Sequence, residues 1–589
     1  MGAASKTAAA VGSASRTAEA AAAEALANIA AYDAVQPQAW ICRPDPAAVL
    51  AQARAVDARV AAGERLPLAG ATFAVKDNID VAGQPTTAAC PAFAYTPPVS
   101  AEVVARLQAA GAVFMGKTNL DQFATGLVGT RSPYGAPGCV FNRTYISGGS
   151  SSGSAVAVGA GLVDFALGTD TAGSGRVPAA FNGLTGFKPT KGRWSTRGLT
   201  PACRSLDCIT VLATDAADAA LVDAVAAGFD PQDSYSRRLG PAADYGVAFR
   251  FGVPRAYQLQ FFGDLEAEAL FAAAVQRVVA MGGTPVEVDV APLLDAAKLL
   301  YSGPWVAERT AAAEALLHAD PNAIHPVVRA ILQGGVGVTG VEAFRGLYAL
   351  AGYARAAEAL WAAADVLLLP TAPTIYRIRE LMAEPFALNA NLGLYTNFVN
   401  LLDMSAVAVP AGFRANATGF GVTLMGPAWA DEALLDLARR YEEIRPMPET
   451  PPLDLAGKPQ TVKLAVVGAH LAGMPLHWQL TSRDAQLAAS TRTAAAYRLY
   501  AMADATPPKP ALIHVGEGGG AIELEVYELT VEAFGSLVAE VPPPLAIGTV
   551  TLEDGSQVKG FVAEPRAIDG AEDVTKHGGW RAYIASRGT

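Results

Sequence analysis

A proline-rich segment near residue 450 divides the 589-residue chain into two parts that follow different patterns. The segment 445–460 reads RPMPETPPLDLAGKPQ and has few large apolar side chains, which is typical of a linker. Before it, short apolar runs such as 71–75 alternate with helical stretches, which predicts an α/β domain with a largely parallel sheet. After it, 522–529 alternates as a two-faced strand does, and Asp554-Gly555 joins two alternating runs, which predicts a hairpin.

This division predicts four segments: a flexible tail at 1–19, a main domain at 20–444, the linker at 445–460 and a smaller α+β domain at 461–589. The Ala/Ser-rich tail resembles a transit peptide, but Glu19 and Glu24 favour a frayed end that leads into a helix.

The composition limits the possible functions. The net charge of −11 argues against a protein whose main ligand is the nucleic-acid backbone. No uncharged apolar stretch is long enough to predict a membrane span. Five cysteines in so long a chain fit a reducing compartment, so a cytoplasmic location is expected. Cys203 and Cys208 have no second ligand pair beside them, and no metal site is predicted.

The positions of the histidines restrict the chemistry of the most glycine- and serine-rich region, 147–175. All six histidines lie after residue 317, so a serine nucleophile in this region would more readily use a lysine as its base. A lysine can act as a base only when neutral, and burial favours that form. Lys76 ends the apolar run ATFAV and is the first candidate, while Lys117 in FMGKTNLD is the weaker one.

The glycine- and serine-rich region itself allows two interpretations. It could be a cradle for a phosphate, but the Gly-Lys-Ser/Thr ending of a nucleotide loop does not occur. Alternatively, it could hold a nucleophilic serine beside an oxyanion hole. The stretch GTDTAGSGR favours this second interpretation, because consecutive N–H groups of Thr171, Ala172, Gly173 and Ser174 could converge on an oxyanion.

Three motifs, in order, resemble those of the amidase signature family: AVKDNIDVAGQPTTAAC around Lys76, SGGSSSGSAVAVGAGL at 147–162 and ALGTDTAGSGRVPAAFNGLTGFKPT at 166–190. The resemblance covers about 20–440 and implies a large mixed, mainly parallel sheet covered by helices on both faces. It also implies a Ser–cis-Ser–Lys triad, in which Ser174 is the nucleophile, Ser150 relays the proton and Lys76 is the final base. The 24-residue separation of Ser150 and Ser174 matches that of the family's catalytic serines.

Departures from the commonest motif at Ser152, Ala172 and Gly175 resemble one branch of the family, the allophanate hydrolases. The stretch YSGPWVAER at 301–309 and the C-terminal GAHLAGMPL and GGWRAY are similar to that branch. The resemblance places Tyr301 and Arg309 in the substrate pocket. Their eight-residue spacing on a predicted helix would bring both side chains to one face, where a guanidinium can bind a carboxylate.

The resemblance implies hydrolysis of allophanate to ammonia and N-carboxycarbamate, which the C-terminal domain then decarboxylates, without a metal or cofactor. His470 is the candidate residue of that second site. The expected partners are the substrate, a second copy of the chain, and a separate urea carboxylase or cyanurate-pathway enzyme that supplies allophanate. No nucleic-acid or membrane partner is expected. Two alternatives stay open, namely another amidase with a different small amide substrate and a non-catalytic scaffold for enzymes of nitrogen metabolism.

Overall fold

The computed structural model describes residues 16–444, 449–456, 461–483, 485–503 and 505–587. Within these ranges the chain forms two compact units, divided between Leu455 and Ala456, inside the proline-rich segment. Residues 1–15 of the expected tail and residues 445–448 and 457–460 of the expected linker lie outside the described residues.

The first unit alternates helices and strands. Its helices are α1 (Ala18–Asp33), α2 (Pro46–Ala61), α3 (Glu102–Ala109), α4 (Ser152–Gly159), α5 (Arg176–Phe181), α6 (Ala216–Ala226), α7 (Leu265–Ala280), α8 (Ala291–Ser302), α9 (Trp305–Ala319), α10 (Pro326–Gly335), α11 (Gly340–Ala363), α12 (Ile378–Ala383), α13 (Ala387–Leu392), α14 (Phe398–Leu401) and α15 (Asp431–Glu443). Its strands are β1 (Trp40–Cys42), β2 (Thr72–Lys76), β3 (Val113–Thr118), β4 (Gly138–Cys139), β5 (Asn142–Ile146), β6 (Phe165–Asp170), β7 (Thr185–Lys188), β8 (Cys208–Ala213), β9 (Phe249–Pro254), β10 (Gly283–Val288), β11 (Val366–Pro370), β12 (Ser405–Phe413) and β13 (Gly419–Gly426).

Eleven of these strands form one sheet in the order β1-β3-β2-β6-β8-β7-β12-β13-β11-β9-β10. The predicted mixed sheet is confirmed, but its parallel majority is wrong. Parallel pairing joins β2 to β3 and β6, and β9 to β10 and β11. The other six neighbouring pairs are antiparallel. The physical reason is the length of the connections: the short loop 414–418 between β12 and β13, for example, permits only an antiparallel return.

Helices cover both faces of this sheet, as the pattern of β2 illustrates. Phe73 and Val75 enter a core shared with α3 and α6, whereas Ala74 enters a core shared with α1 and α4 on the opposite face. Because β2, β3 and β6 are parallel neighbours, their C-terminal ends lie at the same edge of the sheet. The polar residues that end these buried strands are therefore brought together away from water.

The second unit is a smaller α+β domain. It contains β14 (Thr461–Val466), α16 (Trp478–Thr481), β15 (Gln486–Arg492), β16 (Tyr497–Ala501), β17 (Pro510–His514), β18 (Glu523–Thr530), α17 (Val531–Val538), β19 (Leu545–Thr551), β20 (Gln557–Ala563), β21 (Glu572–Asp573) and α18 (Trp580–Ser586). One sheet has the order β15-β18-β14-β20-β19 and another the order β17-β16-β21. The predicted hairpin is confirmed, since β19 and β20 pair across Asp554-Gly555, and Gly555 has a φ of 83°.

Among the described residues, no single helix has the length and apolar character that crossing a bilayer requires. Only α10 and α11 taken together, bent by 95°, meet that requirement of length and composition.

Candidate active site

Lys76 ends β2, and its side chain is completely buried. Its Nζ atom lies 2.7 Å from Ser150 Oγ and 2.6 Å from Thr169 Oγ1. Its partners are therefore hydroxyl groups, which do not require the lysine to be charged. Burial lowers the pKa of Lys76 to about 7, although three nearby carboxylates favour its charged form. The amine is thus substantially neutral near neutral pH and can accept a proton.

Lys117, the weaker candidate, is also completely buried but has a different partner. Its Nζ atom lies 3.1 Å from Asp77 Oδ1 and donates to Thr86 Oγ1 at 3.1 Å. Lys117 is therefore placed as half of a buried ion pair with Asp77, a partner that Lys76 does not have within the described structure.

The two predicted serines occupy adjacent loops. Ser150 precedes α4, and Ser174 lies between β6 and α5; both are buried. The Gly149–Ser150 peptide bond is cis. The N–H of Ser151 donates to the carbonyl oxygen of Ser174 at 3.3 Å, which joins the two loops. The Ser174 hydroxyl faces the carbonyl of Gly126 at 3.4 Å, and no hydrogen bond between the Ser150 and Ser174 hydroxyls occurs in the described structure.

The loop after β6 presents two kinds of backbone N–H group. Those of Thr171 and Ala172 have no acceptor within the described part of the chain. The N–H of Gly173 instead donates to Asp170 Oδ1 at 2.7 Å, which corrects the expectation that it faces an oxyanion. Gly173 remains essential to the loop, because its φ is +126° and an added Cβ would lie 2.4 Å from Thr396 Oγ1.

A buried ion pair holds this loop in place. Arg176 Nε lies 2.9 Å from Asp170 Oδ2, and both side chains are inaccessible to water. The Asp170 carboxylate also accepts the N–H of Gly175 at 3.2 Å. Burial opposes ionisation, but the Arg176 guanidinium keeps the pKa of Asp170 below its usual value. The charged pair therefore fixes the backbone on which the unbonded N–H groups lie.

Tyr301 and Arg309 lie on different helices, so the expectation of a single helix is wrong. Tyr301 belongs to α8 and Arg309 to α9, and Gly303 and Pro304 separate them. Pro304 has no N–H to continue the first helix, so the chain bends there. The bend still brings the two side chains together: the guanidinium lies 5.1 Å from the centre of the tyrosine ring.

Arg309 is 2% exposed and has no ion-pair partner among the described residues. Its Nη1 atom donates to Thr125 Oγ1 at 3.2 Å, and its Nε atom has no hydrogen-bond partner in the described ranges. A buried guanidinium without a counter-ion is costly, and a carboxylate would remove that cost. Thr125 precedes Gly126, whose carbonyl faces Ser174, so this free donor lies close to the candidate nucleophile.

Sequence reasoning did not identify Arg131, which contributes a second buried guanidinium to this region. Its Nη1 and Nη2 atoms donate to the carbonyls of Thr125 at 3.0 Å and Pro385 at 2.7 Å. Burial lowers its pKa. Arg131 thus positions the segment that Arg309 contacts. An arginine in the loop GTRSPYG has no periodicity that distinguishes it from a surface residue, so no sequence signal marks it.

In the second unit, His470 lines a cavity of about 230 Å³. Its Nε2 atom lies 2.7 Å from Gln479 Oε1, and its ring stacks on Phe561 with centroids 4.7 Å apart. Burial lowers the pKa of His470, so the ring is neutral near neutral pH. Lys509 and Glu540 line the same cavity. Throughout the part of the chain that the structure describes, no group of three or more acidic, histidine or cysteine side chains could hold a metal ion.

Comparisons with known proteins agree with this architecture. A family model described as amidase matches residues 24–435, and one described as the allophanate hydrolase C-terminal domain matches residues 462–585. Urea amidolyase of Saccharomyces cerevisiae is 44% identical over 551 residues, which cover 88% of this chain and 30% of that protein. Urea amidolyase of Lachancea kluyveri is 44% identical over 584 residues, which cover 94% of this chain and 31% of that protein. The solved structure of selenomethionine-substituted Kluyveromyces lactis allophanate hydrolase superposes with a TM-score of 0.69 at 42% identity, covering 97% of each chain.

The fold and these matches define a hydrolase that acts on amide C–N bonds. Within that class the chain belongs to the amidase family, and it carries an allophanate hydrolase C-terminal domain. The family resemblance predicted from the three motifs and the C-terminal stretches is confirmed. The chain spans about 30% of the length of the urea amidolyases that it matches.

Proposed function

We propose that this chain hydrolyses allophanate, with Ser174, Ser150 and Lys76 as the catalytic triad. The observation that carries the proposal is the buried Arg309 guanidinium, which forms no ion pair among the described residues. It contacts Thr125, whose neighbour Gly126 faces Ser174. Allophanate is a small amide with one carboxylate, so this guanidinium and the Tyr301 hydroxyl supply the donors that it needs. The similarity to the K. lactis allophanate hydrolase over 97% of the chain supports the same substrate.

The reaction begins with proton transfer from Ser174 through Ser150 to neutral Lys76. The Lys76–Ser150 contact of 2.7 Å supports the second step of this relay. The first step requires the Ser174 hydroxyl to turn from the Gly126 carbonyl towards Ser150. Catalytic hydrogen bonds of this kind often tighten only when the substrate is bound.

Ser174 Oγ then attacks the terminal amide carbonyl of the substrate. The unbonded N–H groups of Thr171 and Ala172 stabilise the oxyanion. The C–N bond breaks, and ammonia leaves with a proton returned through Ser150. Water attacks the acyl-enzyme, with Lys76 again as the base, and releases N-carboxycarbamate. This product then loses carbon dioxide in the C-terminal domain and becomes carbamate, which breaks down to ammonia and a second carbon dioxide.

The proposed second site is the cavity that contains His470. The neutral imidazole, oriented by Gln479, relays a proton to the nitrogen as the C–N bond to carbon dioxide breaks. Lys509 supplies a positive charge for the anionic substrate. We propose further that 445–460 links the two catalytic domains, that the chain forms a homodimer, and that a urea carboxylase or a cyanurate-pathway enzyme supplies allophanate.

The pH dependence tests the role of Lys76. We expect kcat/KM for ammonia release to rise with pH through about 7 and then level off, because Lys76 must lose its proton to act as the base. The rate rises with pH because the neutral, basic form of Lys76 accumulates as the pH passes its lowered pKa of about 7, whereas an ordinary lysine would need a pH near 10.5. Initial rates are measured with a no-enzyme control at each pH, because allophanate decarboxylates spontaneously. A rise centred near 10 would contradict the assignment.

Arg309→Gln tests carboxylate recognition. We expect the variant to lose about 10²-fold in kcat/KM for allophanate, because a charge-assisted hydrogen-bonding pair is removed. Biuret is a matched substrate in which an amide replaces the carboxylate, so its slower hydrolysis should change much less. An equal loss of kcat/KM on both substrates would indicate that Arg309 stabilises the fold and does not bind the substrate carboxylate.

His470→Ala tests the second site. We expect unchanged release of the first ammonia, while decarboxylation slows by about 10²-fold or more and N-carboxycarbamate accumulates. Carbon-13 NMR of the product separates the two steps. His477→Ala is the control, because His477 bonds to the Tyr527 hydroxyl at 3.0 Å and does not line the cavity. Unaltered decarboxylation in His470→Ala would refute the assignment of His470.

A further inference from the structure

A second cavity, also of about 230 Å³, lies in the first unit and shares no lining residue with the proposed catalytic set. Three basic side chains, Lys191, Arg204 and Arg237, line it together with Asp207 and Asp403. The proposed hydrolysis of allophanate assigns no step to these residues, although Asp207 accepts a hydrogen bond from the Thr171 hydroxyl.

Two of the three cations in this cavity have no carboxylate partner in the part of the chain that the structure describes. Arg237 is paired, because its Nη1 atom lies 2.9 and 2.8 Å from the two carboxylate oxygens of Asp403. Within the described ranges, Lys191 Nζ donates only to the carbonyl of Ser205, at 3.5 Å, and burial lowers the pKa of Lys191. The Arg204 guanidinium lies over an aromatic ring, and among the described residues neither it nor Lys191 forms an ion pair.

The remaining carboxylate, Asp207, lies at the buried side of the cavity. It accepts hydrogen bonds from the Thr171 hydroxyl and from the N–H groups of Ala202 at 2.7 Å and Cys203 at 3.2 Å. A carboxylate has about four lone-pair sites, so Asp207 can accept one more hydrogen bond. With Arg237 neutralised by Asp403, Lys191 and Arg204 outweigh Asp207 by one positive charge.

We propose that this cavity binds a small protonated oxoanion, either bicarbonate or hydrogen phosphate. Lys191 and Arg204 bind its anionic oxygens, and Asp207 accepts its O–H. Guanidinium and ammonium groups are the usual donors to oxoanions, which explains the two cations. The carboxylate selects an anion that carries a proton, because an unprotonated oxoanion such as sulfate would meet a buried negative charge without an O–H to offer.

Isothermal titration calorimetry of the full chain at constant ionic strength tests this site. Bicarbonate, inorganic phosphate and sulfate are titrated separately, with potassium chloride holding the ionic strength. We expect saturable binding of bicarbonate or phosphate, and the anion that binds more tightly is the ligand of the site. Sulfate should bind at least about tenfold more weakly. Lys191→Met and Arg204→Gln should each weaken the binding by about tenfold or more.

Arg238→Gln is the matched control, because its guanidinium also stacks on an aromatic ring, at 4.6 Å from the centroid of Phe229, but does not line the cavity. Its affinity should equal that of the wild type. Circular dichroism and ammonia release verify that each variant is folded. The proposal is overturned if no oxoanion binds saturably, if sulfate binds as tightly as phosphate and bicarbonate, or if folded Lys191→Met and Arg204→Gln bind like Arg238→Gln.

Discussion

Replacing Ser174 with alanine is expected to reduce kcat for ammonia release at least about 10⁴-fold, because the acyl-enzyme can no longer form. The fold should survive, since the hydroxyl makes only a 3.4 Å contact with the Gly126 carbonyl. The measurement is the initial rate of ammonia release from allophanate, corrected for spontaneous breakdown, together with the thermal unfolding midpoint.

Ser152→Ala is the matched control for this experiment. Ser152 is buried in the same region, but its hydroxyl makes only a 3.4 Å contact with the carbonyl of Asn119. Its removal should therefore leave the rate within about a few-fold of the wild type. If Ser174→Ala retained most of the activity, the nucleophile would lie elsewhere. If both variants lost it equally, the loss would reflect damage to the loop.

Replacing Lys76 with methionine is expected to lower kcat by about 10³-fold, within the range for loss of a general base. Methionine fills a similar volume, and the two hydroxyls that lose the Lys76 amine cost at most about 1–3 kcal/mol of stability each. The variant should thus fold while losing activity, which ammonia release and urea unfolding measure independently.

Lys117→Met should show the opposite behaviour. It leaves the Asp77 carboxylate buried without its counter-ion, which is expected to lower the free energy of unfolding by about 3–5 kcal/mol. The molecules that remain folded should retain ammonia release. Comparable activity per folded molecule in the two lysine variants would show that Lys76 is not the base.

The sequence predicted individual strands and turns correctly where they depend on residues close together in the chain. The Asp554-Gly555 hairpin follows from the turn chemistry of two residues, and β2 follows from its apolar run. The prediction of one helix from Tyr301 to Arg309 was wrong, because Pro304 ends the helical hydrogen bonding even though the sequence on both sides is helical. The prediction that most strands are parallel was also wrong. Strand direction depends on the length and path of the connections, which the pattern of apolar residues does not specify.

The sequence by itself determined the family, through three ordered motifs and their spacing, and it identified the candidate serines and lysines. Only the tertiary structure supplied the physical difference between Lys76 and Lys117, which both lie at or next to the end of a buried strand: a hydroxyl meets the nitrogen of Lys76 and a carboxylate that of Lys117. The structure alone also assigned the Gly173 N–H to Asp170 and left Arg309 Nε without a hydrogen-bond partner among the described residues. The physical reason is that hydrogen bonding and charge depend on distances between residues far apart in the chain, whereas motifs and turns depend on neighbours.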